Sequence, residues 1–199
     1  SKNPITNSKK ISSLPMTTYC NNLLPADIWK EVANFIRIKE PHVDYVEFKS
    51  IFKIEKPSIH FDESNDYVNH VIEINHDPDY FFKNIFNRSL RRKINNSLKN
   101  GLIYQEAESK DDLRKFYNLL KKGRKKHNLP PLPYSFFENM WSVKKKKKMM
   151  FIPMITYENR VIAADIIFNF KNIYHSEYSA SDSRYYNLGP NQRLLWELL

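Results

Sequence analysis

The stretch MMFIPMITYENRVIAADIIFNFKNIYHSEYSA, residues 149–180, decides the fold. Its apolar and β-branched content predicts three consecutive strands over 149–157, 161–170 and 172–180. The connections Glu158-Asn159-Arg160 and Lys171-Asn172 are short enough for antiparallel hairpins. Upstream, LIYQEAES (102–109) reads as a strand, and Ser109 caps a helix with Asp112 three residues on, a weak capping box. Leu113, Phe116, Tyr117 and Leu120 follow at helical spacing on that helix, whose far face, KKGRKKH, is basic. LPPLP is a rigid connector, and SFFENMW (135–141) a short helix with an aromatic face. Downstream, DSRYYNLGPNQRLLWELL (182–199) is a polar, aromatic loop running into an apolar helix. Two helices followed by three hairpin-linked strands argue an α+β-like, mixed α/β sheet and not a doubly wound parallel one.

Before residue 102 the pattern is less regular. Residues 11–19 read as extended, and Pro25-Ala26-Asp27 opens a helix with Ile28, Trp29, Val32, Phe35 and Ile36 on one face, ended by Pro41. Residues 44–54 and 67–75 alternate like strands. Asp77 as N-cap, Pro78 at the first helical position and Gly101 past the end predict one helix between them. Phe82, Phe86, Leu90, Ile94 and Leu98 form its apolar stripe, and Arg88, Arg91, Arg92, Lys93 and Lys99 its polar side.

Composition narrows the chemistry. Hydrophobic residues make up 41% of the 199, enough for a packed core. The single Cys20 excludes an internal disulfide and a Cys-based zinc site. No run approaches the ~20 apolar residues of a membrane span, and no signal-peptide pattern opens the chain. The net charge of +10 is localised: residues 88–148 hold 18 Lys and Arg against 5 Asp and Glu, the remainder 14 against 17. One contiguous third thus carries the whole excess, a surface that attracts phosphates of nucleotides, RNA or lipid head groups. Lys144 to Lys148 reads as a surface loop, with anionic lipid or RNA as the contacts it would favour. There is no Walker loop, dinucleotide fingerprint, HExxH or GxSxG.

The element order resembles the first half of a GNAT acyltransferase fold. Four segments sharpen this: SLPMTTYCNNLL (13–24), RSLRRKINNSLKNGL (88–102), HNLPPLPYSFFENMW (127–141) and EYSASDSRYYNLGPNQRLLWELL (177–199). Together they resemble the FemAB-related branch, the peptidoglycan-bridge aminoacyltransferases and their relatives. The resemblance implies two GNAT-like domains side by side. Residues 1–75 would close a first one, 76–101 would be a linking basic amphipathic helix, and 102–199 would open a second, making the chain an internal piece of a longer protein. It also implies aminolysis of an activated acyl group on an amine of a cell-envelope precursor, in the cytoplasm or at the inner membrane surface. The acyl donor is then a co-substrate and not a resident cofactor: aminoacyl-tRNA or another phosphate-bearing donor. An acyl-CoA-dependent N-acyltransferase acting on a small amine, and a non-catalytic basic module binding RNA or a membrane surface, are the alternatives. Neither a metal nor a stable nucleic-acid complex is expected.

Aminolysis needs a proton acceptor, an oxyanion donor and cations for phosphates. In the GNAT fold the oxyanion donor is commonly a backbone N–H on the central strand, which the resemblance equates with 172–180. For the proton, that strand's end offers His175, Glu177, Tyr178 and Asp182. Alternation puts His175 and Glu177 on one face, whereas a bulge would part Tyr174 from Tyr178. Arg88, Arg91 and Arg92 are the phosphate candidates because guanidinium binds phosphate bidentately. Tyr178, Asp182 and Tyr186 lie where the family's substrate groove should be, and Asn191 reads as the N-cap of the last helix. Acyl-CoA-using relatives carry a basic, Gly-rich loop before that helix, whose N–H groups cradle pyrophosphate. Here the loop is Tyr186-Asn187-Leu188-Gly189-Pro190-Asn191, with one Gly and a Pro lacking an N–H, which disfavours CoA.

Overall fold

A computed structural model describes residues 9–12, 28–48, 62, 68 and 70–199. The chain divides into two compact units, Ser1–Ile72 and Glu73–Leu199. In the first, β1 (Lys10–Ser12) pairs in parallel with β2 (Tyr45–Glu47), and the helix α1 (Trp29–Lys39) lies between them in sequence. Glu47 joins the two strands, accepting from Lys10 Nζ at 3.0 Å and from Ser12 Oγ at 3.2 Å. The predicted extended segment beyond residue 12, the helix-opening residues 25–27 and the strand residues 49–54 lie outside the described residues, as does the segment 13–24.

Two expectations are corrected. The strand predicted over 67–75 is absent from 70–75, which is irregular and exposed. An alternating pattern becomes a strand only where a partner pairs with it, and among the described residues none does. The single helix between Asp77 and Gly101 is two. Asp77 caps α2 (Pro78–Tyr80), accepting from the Tyr80 N–H at 2.8 Å, and α2 widens into a π-helical turn, Phe81–Ile85. Phe86 then turns extended, and Asn87, itself a good cap, starts α3 (Arg88–Lys99) by accepting from the Leu90 N–H at 2.9 Å. The break lets Phe81, Phe86 and Ile94 share one cluster with Phe82, Leu90, Trp196 and Leu199, while Leu98, the last residue of the predicted stripe, is left exposed.

The remaining elements are β3 (Ile103–Glu106), α4 (Lys110–Lys126), α5 (Tyr134–Lys144), β4 (Met150–Phe151), β5 (Pro153–Tyr157), β6 (Arg160–Phe170), β7 (Ile173–Ser181), a 3-10 turn (Ser183–Leu188) and α6 (Pro190–Glu197). All pairings in this sheet are antiparallel. β3 pairs with β5, β4 and β5 pair with successive stretches of β6, and β7 runs along the other side of β6. The mixed α/β architecture matches the sequence reading. Both hairpin turns, Glu158-Asn159 and Lys171-Asn172, have positive φ at each residue, the type I′ geometry whose twist suits paired strands. The capping box is complete: Ser109 accepts from the Asp112 N–H, and Asp112 accepts from the Ser109 N–H.

Helices cover both faces of the sheet. On one, Leu113, Phe116, Leu119 and Leu120 of α4 and Phe137 and Trp141 of α5 pack on Met154, Ala164, Ile166 and Ala180. On the other, Leu194 of α6 packs on Leu102, Ile155, Ile162 and Ala163. α3 crosses the start of α6 closely. A Cβ on Gly189 would lie 3.1 Å from the Lys93 carbonyl and 3.4 Å from Ser97 Cβ, and Gly189 also holds φ +75°. Only Gly meets both demands without strain. No helix among the described residues is long and apolar enough to cross a membrane.

Candidate active site

β7 is irregular where it matters. Tyr178 pairs with Ile166 and Ser176 with Ile167, so Glu177 is an extra residue, a β-bulge. The bulge resets which side chains share a face. Tyr174 meets the ring of Phe151 on one face, whereas Tyr178 packs edge-on against Phe136 and Phe137 of α5 on the other. In a regular strand, positions four apart would share a face. The bulged Glu177 meets His175, with Oε2 and Nε2 2.7 Å apart.

Opposite the bulge lies a residue that sequence reasoning missed. Asp165, in the middle of β6, is only 4% exposed. Its Oδ2 accepts from Ser176 Oγ at 2.5 Å, and Ser176 Oγ is 3.3 Å from Ser179 Oγ. Oδ1 is buried and has no well-formed hydrogen bond. Burial pushes the carboxyl up to about 6, against the pull of Ser176, Ser179, the Ile166 backbone and His175. The available signal was an acid inside the run VIAADIIF, where every neighbour is apolar.

The end of β7 gathers three of the sequence-predicted residues. Ser181 Oγ donates to the Tyr186 hydroxyl at 3.3 Å and accepts from Asn191 Nδ2 at 3.4 Å. Asp182, next in sequence, caps the 3-10 turn through the Arg184 N–H and pairs with the Arg184 guanidinium at 2.6 Å. That guanidinium, first of all, holds the carboxyl below the usual range. Burial, then the Glu177 charge, push the Tyr178 hydroxyl up to about 12, with Arg124 opposing. At neutral pH the Tyr178 hydroxyl therefore keeps its proton and the Asp182 carboxyl is ionised.

The matching family description, an acetyltransferase (GNAT) domain, covers residues 86–199. The chain belongs to the GNAT acetyltransferase family. Its fold is shared with the crystal structure of FemX at a TM-score of 0.56 and 12% identity, over 62% of this chain and 46% of FemX. The chain thus spans about half the length of FemX, and the expected FemAB-like fold is borne out. An acetyltransferase structure from Trypanosoma brucei is 18% identical over 49% of this chain and 71% of its own, at a TM-score of 0.37, too low to carry an argument. No functionally curated protein matches the chain.

Within this GNAT domain the expected phosphate ligands lie on α3. Arg88, Arg91 and Arg92 open α3, and Arg91 Nη1 donates to the Lys83 carbonyl at 3.2 Å. Among the described residues no hydrogen bond or ion pair joins these three to β7. The cap of α6 is corrected: the left-handed Gly189 is the N-cap, Pro190 stands at N1, and Asn191 lies one residue inside the helix. In the Lys144–Lys148 run, Lys145 Nζ is committed to the Ala107 carbonyl at 2.7 Å and Glu108 at 3.0 Å, over the Trp141 ring. The C-terminal end of α4 is different. Lys121, Lys122, Lys125 and Lys126 are exposed and, among the described residues, have no ion-pair partner. Lys122 acts on Asp182 and Arg124 on Tyr178 electrostatically, so this basic end of α4 adjoins the β7 cluster.

Proposed function

We propose that this GNAT domain serves an N-acyl or aminoacyl transferase of the FemAB-related kind, with aminoacyl-tRNA as donor and an amine of a cell-envelope precursor as acceptor. In this reading the acceptor amine attacks the ester carbonyl carbon, the His175–Glu177 pair takes the amine proton, and backbone N–H groups of β7 hold the oxyanion. As the carbon–oxygen bond breaks, Tyr178 protonates the departing ribose oxygen. Asp182, Tyr186 and Asn191 would line the substrate groove, and Arg88, Arg91 and Arg92 would meet phosphates from α3. The reaction would run in the cytoplasm, with peripheral contact to an anionic inner membrane surface.

The observation that carries the choice of donor is the turn before α6. Pro190 removes an N–H at the helix start, where an acyl-CoA enzyme needs donors for pyrophosphate, while the basic end of α4 beside Tyr178 and Asp182 suits a larger polyanion. The test is binding and transfer by the full-length protein. Aminoacyl-tRNA should bind and give an amide product, and acetyl-CoA at micromolar concentration should leave the melting temperature unchanged. Stabilisation by acetyl-CoA would favour the acyl-CoA reading instead. Equal, salt-sensitive binding of tRNA and random RNA without product would favour a non-catalytic RNA-binding module.

A further inference from the structure

We propose that Asp165 is a positioning residue that pins the β7 bulge through Ser176 and Ser179, and so fixes where the backbone N–H groups of Glu177 and Tyr178 point. The inference rests on reading β7 as the transfer strand. Residues three apart on a regular strand face opposite sides of the sheet. Ser176 and Ser179 are three apart, yet they share the face of Asp165, because the extra residue Glu177 sits between them: Ser176 Oγ donates to Asp165 Oδ2 and lies 3.3 Å from Ser179 Oγ, and Ser179 pairs with Asp165 in register. One side chain on β6 thus holds Ser176 before the irregularity, and Ser176 meets Ser179 beyond it.

Packing alone gives a poor account of Asp165. The carboxylate is buried on a face otherwise built from Ile155, Ala163 and Ile167, and one of its oxygens has no well-formed partner. A valine there would remove a desolvated charge and fit the strand. What the carboxylate supplies and a valine would not is an acceptor for Ser176, whose hydroxyl in turn meets Ser179 across the bulge.

The test is amide hydrogen exchange in the full-length protein, read at Glu177 and Tyr178, together with steady-state transfer from aminoacyl-tRNA. Asp165→Ala and the double variant S176A/S179A should speed exchange at these two amides about tenfold or more, with the β5–β6 hairpin unchanged. The same variants should lower kcat by about tenfold or more while leaving KM within about twofold, as misplacement of a transition-state donor does. Ser176→Thr, which keeps the hydroxyl, should retain both properties. If D165A fails to fold, the double serine variant decides alone. Unchanged exchange at Glu177 and Tyr178 overturns the pinning. Faster exchange with unaltered kcat overturns its link to transfer. Absence of transfer by the wild type removes the reading of β7 as the reacting strand, and the exchange result still decides whether Asp165 holds the bulge.

Discussion

The β5–β6 and β6–β7 hairpins share a backbone design. Each closes with two residues of positive φ, and each contains one bulge, between Ile155 and Thr156 in the first and opposite Ile166 and Ile167 in the second. They differ in what occupies the extra position. In the first it is Ile162, 1% exposed and packed with Ile155, Ala163 and Leu194. In the second it is Glu177, bonded to His175 and flanked by the two serines that face Asp165. A bulge re-aims a side chain and interrupts the ladder locally. Whether that becomes packing or chemistry depends on the residues placed there.

The sharpest way to break the comparison is to remove the apolar member. Ile162→Ala should cost about 2–5 kcal/mol in urea unfolding, with transfer per folded molecule unchanged. A comparable loss of turnover would mean both bulges serve the reaction. Asp165 should behave oppositely. Because its carboxyl is pushed up to about 6 from 3.8, the folded state binds the proton more tightly than the unfolded state. Stability from this group is then full below pH ~4 and declines as pH rises through ~6, by up to about 3 kcal/mol. Asp165→Asn should flatten that slope when unfolding is compared across this range. A wild-type stability that instead rose between pH 4 and 6 with no change in the variant would show that the acid is not desolvated.

Smaller effects sharpen the contrast. Gly189→Ala, at the exit from the β6–β7 hairpin, should cost about 1–2 kcal/mol for the left-handed backbone. Its approach to the Lys93 carbonyl adds a shift of α3, visible as altered Trp196 fluorescence. Ser109→Ala, outside both hairpins, should cost about 1 kcal/mol by removing the capping box. Its partner Asp112 is held well below the usual carboxylate range, chiefly by Lys115. Its stabilisation is therefore present above pH ~4 and lost on acidification, the reverse of Asp165. Replacing Lys121, Lys122, Lys125 and Lys126 by Ala should move stability by only about 0.5 kcal/mol but reduce the salt dependence of tRNA binding.

Most of the sheet and its helices were legible because local signals agree with the tertiary result. The hairpin turns, the Ser109 cap and the apolar faces of α4 and α5 each carry their own sequence mark. The helix between Asp77 and Gly101 misled because its apolar residues recur every four positions whether or not the backbone breaks at Phe86, and only packing with Trp196 resolves the choice. The alternation at 70–75 misled because a strand pattern does not reveal its partner. In the site, His175, Tyr178, Asp182 and Tyr186 come to β7 or the turn after it and Asn191 to the first turn of α6, whereas the arginines lie on α3. Asp165 escaped because its partners are three-apart serines that only a bulge brings together, and a bulge at Glu177 has no sequence signature.

The most direct test of the difference between the two bulges is the rate of amide formation from radiolabelled aminoacyl-tRNA by the full-length protein, with Asp165→Ala beside Ile162→Val. The account predicts product with the wild type, a rate about tenfold or more lower in D165A at equal folded protein, and no change in I162V. Equal rates in D165A and the wild type would contradict it.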